Sequence, residues 1–92
     1  MIRSFRHKGL EKLFYDGDRG GIQPPHSQKI ADTLDRLDAA TTIRDMSYPG
    51  SNIHQLKGRL AGVWSVRVSG NWRIAFRFKD GDAYVVDYVD YH

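Results

Sequence analysis

Several things are missing from this 92-residue chain, and each absence closes a class of function. It has no cysteine, which excludes disulfides, thiolate metal sites and a nucleophilic thiol. No apolar run approaches the ~18 residues of a membrane-spanning helix. The N-terminal MIRSFRHKGLEKLF has no apolar stretch of the kind that marks a secretory signal, so a cytoplasmic chain is expected. Neither a HExxH motif nor paired histidines at ligand spacing occurs, and no metal site is expected. No glycine-rich loop follows a strand and opens a helix, so a nucleotide cofactor is not expected either. The last absence is local. From Ser51 to Lys79 there is no Asp or Glu, against six Lys or Arg.

That last stretch carries the charge imbalance of the whole chain. Residues 1–50 hold eight basic and seven acidic groups and nearly cancel. Of the net charge of +3, two units therefore arise in the second half, where the basic stretch lies ahead of an acidic, tyrosine-rich ending, DGDAYVVDYVDYH. Ninety-two residues at 40% hydrophobic content make one small domain, residues 1–92, with one core.

Along the chain, Met1–Phe5 reads as a short edge strand. His7 to about Asp16 reads as a helix, with Leu10, Leu13 and Phe14 on one face and Gly17 as its stop. The segment DGDRGGIQPP is a loop. Ser27 is a candidate N-cap for a second helix carrying Ile30, Leu34, Leu37 and Ala40 at helical spacing, and Thr41 to Met46 adds a short turn. Asn52–Leu56 is a brief extended segment and Lys57–Gly62 a loop. Then come two alternating strands around Ser69-Gly70-Asn71 and a third after the hairpin turn Asp80-Gly81. The fold class that follows is α+β: a short N-terminal strand, then two N-terminal helices packed on one face of a C-terminal antiparallel β-meander.

Period-two alternation sends Trp64, Val66, Val68, Trp72, Ile74, Phe76 and Phe78 to the helix-covered face. Ser65, Arg67, Arg73, Ala75 and Arg77 are left for the other. In the simplest register Val68 faces Trp72, Arg67 faces Arg73, Tyr88 faces Arg73 and Tyr84 faces Arg77. Asp87 falls on the buried side in that register, unless a bulge shifts the last strand. Like charges directly opposite one another are destabilising, so a chain that keeps Arg67 against Arg73 expects an anion there. On the same ground, removing Arg73 should leave the protein as stable as before or more so. A solvated outer sheet face would explain the same pattern. The company of His54 and Lys57 before the meander, and of Asp90, Tyr91 and His92 at its end, favours a phosphate-binding face. His7 and His26 receive no role.

The segment Leu56-Lys57-Gly58, the run GVWSVRVSGNWRIAFRF and the ending GDAYVVDYVDYH together resemble the HigB toxins of the RelE/ParE superfamily. The opening MIRSFRHKGLEKLF and the second helix ending LDAAT resemble them as well, so the similarity spans the chain. It implies a RelE-like fold and a ribosome-dependent mRNA endonuclease acting at the A site, in a type II toxin–antitoxin system. It also implies a helix-turn-helix antitoxin as partner and operator DNA bound only through the antitoxin complex. Carried over residue by residue, catalysis falls on His54, Lys57, Arg73, Asp90, Tyr91 and His92. RNA binding falls on Arg67, Arg77, Lys57 and Tyr88. These groups suit metal-free cleavage, in which a base frees the 2′-hydroxyl to attack phosphorus, cations stabilise the transition state and an acid protonates the leaving 5′-oxygen. Which histidine is the base stays open between His54 and His92. A ParE-like gyrase inhibitor and a non-catalytic RNA- or protein-binding module are the competing functions.

Overall fold

The computed structural model describes residues 1–58 and 61–91, so His92 lies outside the described residues. Two helices and a four-stranded antiparallel sheet make up an α+β structure. Helix α1 spans Lys8–Asp16 and α2 spans Ser27–Ala39; strands β1 (His54–Gln55), β2 (Trp64–Ser69), β3 (Trp72–Lys79) and β4 (Asp82–Asp90) lie in the sheet in chain order.

Helix α1 turns Leu10 and Leu13 inward. It ends at Gly17, whose φ of 71° lets its N–H return to the Leu13 carbonyl, a left-handed cap that glycine adopts without steric cost. Helix α2 buries Ile30, Leu34 and Leu37, all fully enclosed. These meet Val66, Ile74, Phe76 and Val86 from the sheet in one apolar cluster. Each such side chain contributes about 1.5–3 kcal/mol by leaving water. Ser27 is not the cap of α2. It lies in the first turn, where its hydroxyl donates to the Pro24 carbonyl and accepts from Arg19; the short 3₁₀ turn Pro24–His26 leads directly into the helix.

Residues 1–5 do not form a continuous strand. Ile2 and Phe5 make isolated parallel bridges to Ala83 and Val86 on the outer edge of β4, with backbone bonds from Arg3 to Ala83 and from Arg6 to Val86. The segment thereby covers an edge that would otherwise expose unpaired backbone groups.

Two bulges decide where side chains point. Between β2 and β3, Arg67 faces Arg73 but Ser69, rather than Val68, faces Trp72. The loop is therefore the two-residue Gly70-Asn71, and Val68 is the extra residue. Between β3 and β4, Arg77 faces Tyr84, after which the register shifts so that Ala75 faces Asp87 and Ile74 faces Tyr88. The extra residue is accommodated at Val85, whose φ is +48°, an uncommon conformation for a β-branched side chain.

The second shift turns Tyr88 over. The sequence alternation placed it on the arginine face, opposite Arg73; Val89 occupies that place instead. Tyr88 is buried on the helix side, its hydroxyl 2.6 Å from His26 Nδ1, with its ring against Trp72 and His7. It cannot contact RNA from the arginine face. Asp87 moves the opposite way, out of the core, and lies 3.9 Å from Arg6. Burial pushes the Tyr88 phenol above its ordinary value, against a weaker opposing backbone bond from Gln23.

Two outcomes test this register. Val85→Gly removes the left-handed strain, worth roughly 1–2 kcal/mol, and regains most of what glycine costs in a strand. Urea denaturation should show stability equal to the parent or higher by up to about 1 kcal/mol, whereas glycine at an ordinary strand position weakens it. The Tyr88 phenol, raised in the folded state, contributes stability that is present below pH ~10 and lost as pH climbs through its folded value. Tyr88→Phe should lose about 1–2 kcal/mol at neutral pH and show a shallower decline above pH ~10 than the parent.

Candidate active site

The site is built on the sheet face turned away from the helices. Arg73, at the centre of that face, is 8% exposed, which is unusual for a charged group. Its Nε donates to the Ser65 hydroxyl at 2.6 Å, and its Nη2 donates to the Asn52 carbonyl at 2.6 Å and the Ser65 carbonyl at 3.2 Å. The same Nη2 lies 3.2 Å from His54 Nδ1. One guanidinium thus joins β1, β2, β3 and the turn before β1. Asn52, with φ at +45°, presents its carbonyl inward from a conformation that Asn tolerates better than most residues.

His54 sits on β1 opposite Ser65, which brings it to Arg73 although 19 residues separate them. Its Nδ1 is also 3.1 Å from the Asn52 carbonyl. When Nδ1 carries hydrogen it donates to Asn52, and Nε2 keeps its lone pair; when Nδ1 is bare it accepts from Arg73. Either bond fixes the ring.

Arg67 is exposed on β2 directly opposite Arg73. Burial first, and Arg67 second, draw Arg73 below the ordinary arginine value, with Tyr91 acting in the opposite sense. Tyr91 is held by its backbone N–H on the Asn71 carbonyl and stays 41% exposed, so its phenol is available on the face that carries Arg73. Lys57 is exposed at the start of the loop that the Leu56–Val63 backbone bond closes. Arg77 is exposed two positions beyond Ala75 on β3. Asp90, opposite Trp72, is exposed at the end of β4.

The structure therefore brings His54, Arg67, Arg73 and Tyr91 to one face, with Lys57 and Asp90 at its margins, and removes Tyr88. Sequence reasoning missed Ser65 and Asn52, which hold Arg73. An arginine near the start of a strand, with Ala75 two positions on along the same face and Ser65 facing that alanine, was the available signal. It also missed that this face is only partly solvated. Leu56, Val63 and Ala75 are buried there, with Val89 packed against them. Among the described residues, no group of three His, Asp or Glu side chains is placed to hold a metal ion, and no helix is long and apolar enough to cross a membrane.

Comparison with known proteins places the chain in a family. Residues 3–92 match the family described as the RelE-like toxin of the type II toxin–antitoxin system HigB. The chain is 45% identical over 92 residues to the endoribonuclease HigB of Proteus vulgaris, covering all of both chains. It is 33% identical over 94 residues to toxin HigB-1 of Vibrio cholerae serotype O1, covering all of this chain and 98% of that one.

The burial of Arg73 reverses the stability expected from charge repulsion alone. Without it, the Ser65 hydroxyl, fully enclosed, and the Asn52 carbonyl lose their donor. Arg73→Ala should therefore lower stability by about 1–3 kcal/mol, read by urea denaturation. A mutant as stable as the parent would show that repulsion from Arg67 outweighs these bonds.

Proposed function

The chain belongs to the HigB-like, RelE-like toxins of type II toxin–antitoxin systems, and on that premise we propose that it is an endoribonuclease that cuts mRNA on the ribosome. It works with a protein antitoxin, as its family does. The observation that carries the reading is Arg67 facing Arg73 across two strands with His54 fixed against Arg73, because two cations at one point suit a phosphate in transit through a more highly charged state.

In this reading the two arginines divide the work. Arg67, exposed, takes the phosphate oxygens directly through its planar fork. Arg73 acts mainly as a positioning residue: its bonds to Ser65 and Asn52 hold strands and turn together and fix the carbonyl on which His54 is oriented, and its charge adds to the field beneath the phosphate. His54, with Nδ1–H on the Asn52 carbonyl, offers Nε2 as the base that takes the proton from the 2′-hydroxyl. The oxygen freed attacks the adjacent phosphorus, the bond to the 5′-oxygen breaks, and an acid from the chain's end returns a proton to that oxygen. Tyr91 and Asp90 stand at that end, with His92 following. Lys57 adds a point charge from the loop.

A single small cationic face offers few phosphate contacts, so the grip on free RNA is weak and salt-sensitive. The ribosome supplies the remaining alignment, in keeping with work in the cytoplasm on translated message. The antitoxin in this reading carries a helix-turn-helix, leaves the arginine face out of its contacts with DNA, and brings the complex to its operator. The 92 residues act as one domain.

Two measurements test the proposal. Purified protein should cut message on a programmed ribosome and barely cut the same RNA alone; equal rates would refute ribosome dependence. Arg67→Ala, at an exposed position, should fold as the parent does yet slow cleavage by about 10²–10³, measured by primer extension.

A further inference from the structure

Beyond the arginine row, the same sheet face sinks into a cavity of about 470 Å³. Its floor is the second apolar cluster, Leu56, Val63 and Ala75, with Val89. Tyr91 bounds it toward the Asn71 turn and Arg77 toward the Asp80 turn. Asp87 also lines it, opposite Ala75 in the register. Asp87 is committed only partly: Oδ1 accepts from the Tyr88 N–H at 2.9 Å, and Oδ2 is 3.9 Å from Arg6 Nε. Tyr91 and Asp90, which stand at the edge of the cleavage chemistry above, also line the cavity; its apolar floor and Asp87 take no part in that chemistry.

We infer that the cavity is a nucleobase pocket for a nucleotide beside the cleaved phosphate, and that it favours a base presenting an amino group to Asp87. The inference rests on the endoribonuclease reading and adds a binding site to it. Three observations carry it. The first is position: Ala75 lies two residues from Arg73 on the same face of β3, about 6–7 Å along the strand, so a chain whose phosphate lies on Arg67 and Arg73 has its next base over the floor. The second is shape and polarity. A base is apolar on its faces and polar at its edge, which matches an apolar floor rimmed by planar Tyr91 and Arg77 groups that can stack on it. An apolar peptide side chain would fill the floor but leave the rim charges desolvated without partners. The third is the carboxylate, since Asp accepts from an exocyclic amine and repels a bare carbonyl edge.

The test uses the intact protein and does not depend on cleavage. Methyl resonances of Leu56, Val63, Ala75 and Val89 are followed while AMP, CMP, UMP or ribose 5-phosphate is added. AMP and CMP should move these methyls, UMP should need about tenfold more, and ribose 5-phosphate should leave them in place. Asp87→Ala should erase the difference between CMP and UMP. Ala75→Leu, checked for a folded spectrum, should abolish the methyl response to every nucleotide. Methyls that ignore all nucleotides, that respond equally to ribose 5-phosphate, or that respond to an apolar peptide instead would overturn the pocket. Loss of RNA cleavage in the parent with the methyl response intact would strike the nuclease reading and leave the pocket standing.

Discussion

The arginine face is organised by one buried cation. Arg73 is taken out of water, and an isolated charge there would be prohibitive. It is tolerable because Ser65 and Asn52 accept its hydrogens. Those acceptors come from β2 and from the turn ahead of β1, so satisfying the guanidinium also docks a strand only two residues long. A strand that short holds little by itself. His54 rides on it and reaches the centre of the face because Arg73 anchors its surroundings.

Burying this cation also accounts for the electrostatic tension with Arg67. Opposing arginines exposed to water would repel weakly. With one of them desolvated, the repulsion is felt more strongly, and Arg73 is drawn below the usual arginine range. An anion arriving at Arg67 relieves both the repulsion and the uncompensated charge. In the proposed reading that anion is the phosphate.

A second constraint is the left-handed residue at Val85. One extra residue in β4 exchanges the two faces of the strand's second half. Tyr88 becomes core, bonded to His26 beneath α2, while Asp87 and Val89 join the functional face. The strain at Val85 is held in place by the N-terminal segment, since the Val85 N–H donates to Ser4 and the neighbouring backbone pairs with residues 4 and 6. The chain's first residues therefore help set which side chains of β4 line the cavity.

What the sequence determined by itself was whatever depends on local periodicity. Leu10, Leu13 and Gly17 define α1, and the alternation of Val66, Ile74 and Phe76 defines the buried sheet face. The Asp80-Gly81 turn fixes the register of β3 and β4 as far as Arg77 and Tyr84. Each is settled by a few neighbouring side chains. The pairing of Arg67 with Arg73 follows from a three-residue turn in the sequence reading, whereas the structure reaches the same pair through the two-residue Gly70-Asn71 turn and the extra residue Val68. Tertiary structure decided the rest. A bulge leaves the composition of a strand unchanged while reversing every residue beyond it, so Tyr88, Asp87 and Val89 could not be assigned by parity. The burial of Arg73 depended on a carbonyl 21 residues away, and no local pattern announces a hydrogen bond across that separation. His26, in a proline-rich loop with no periodic context, found its partner in Tyr88 for the same reason: the contact exists only once α2 is laid across the sheet.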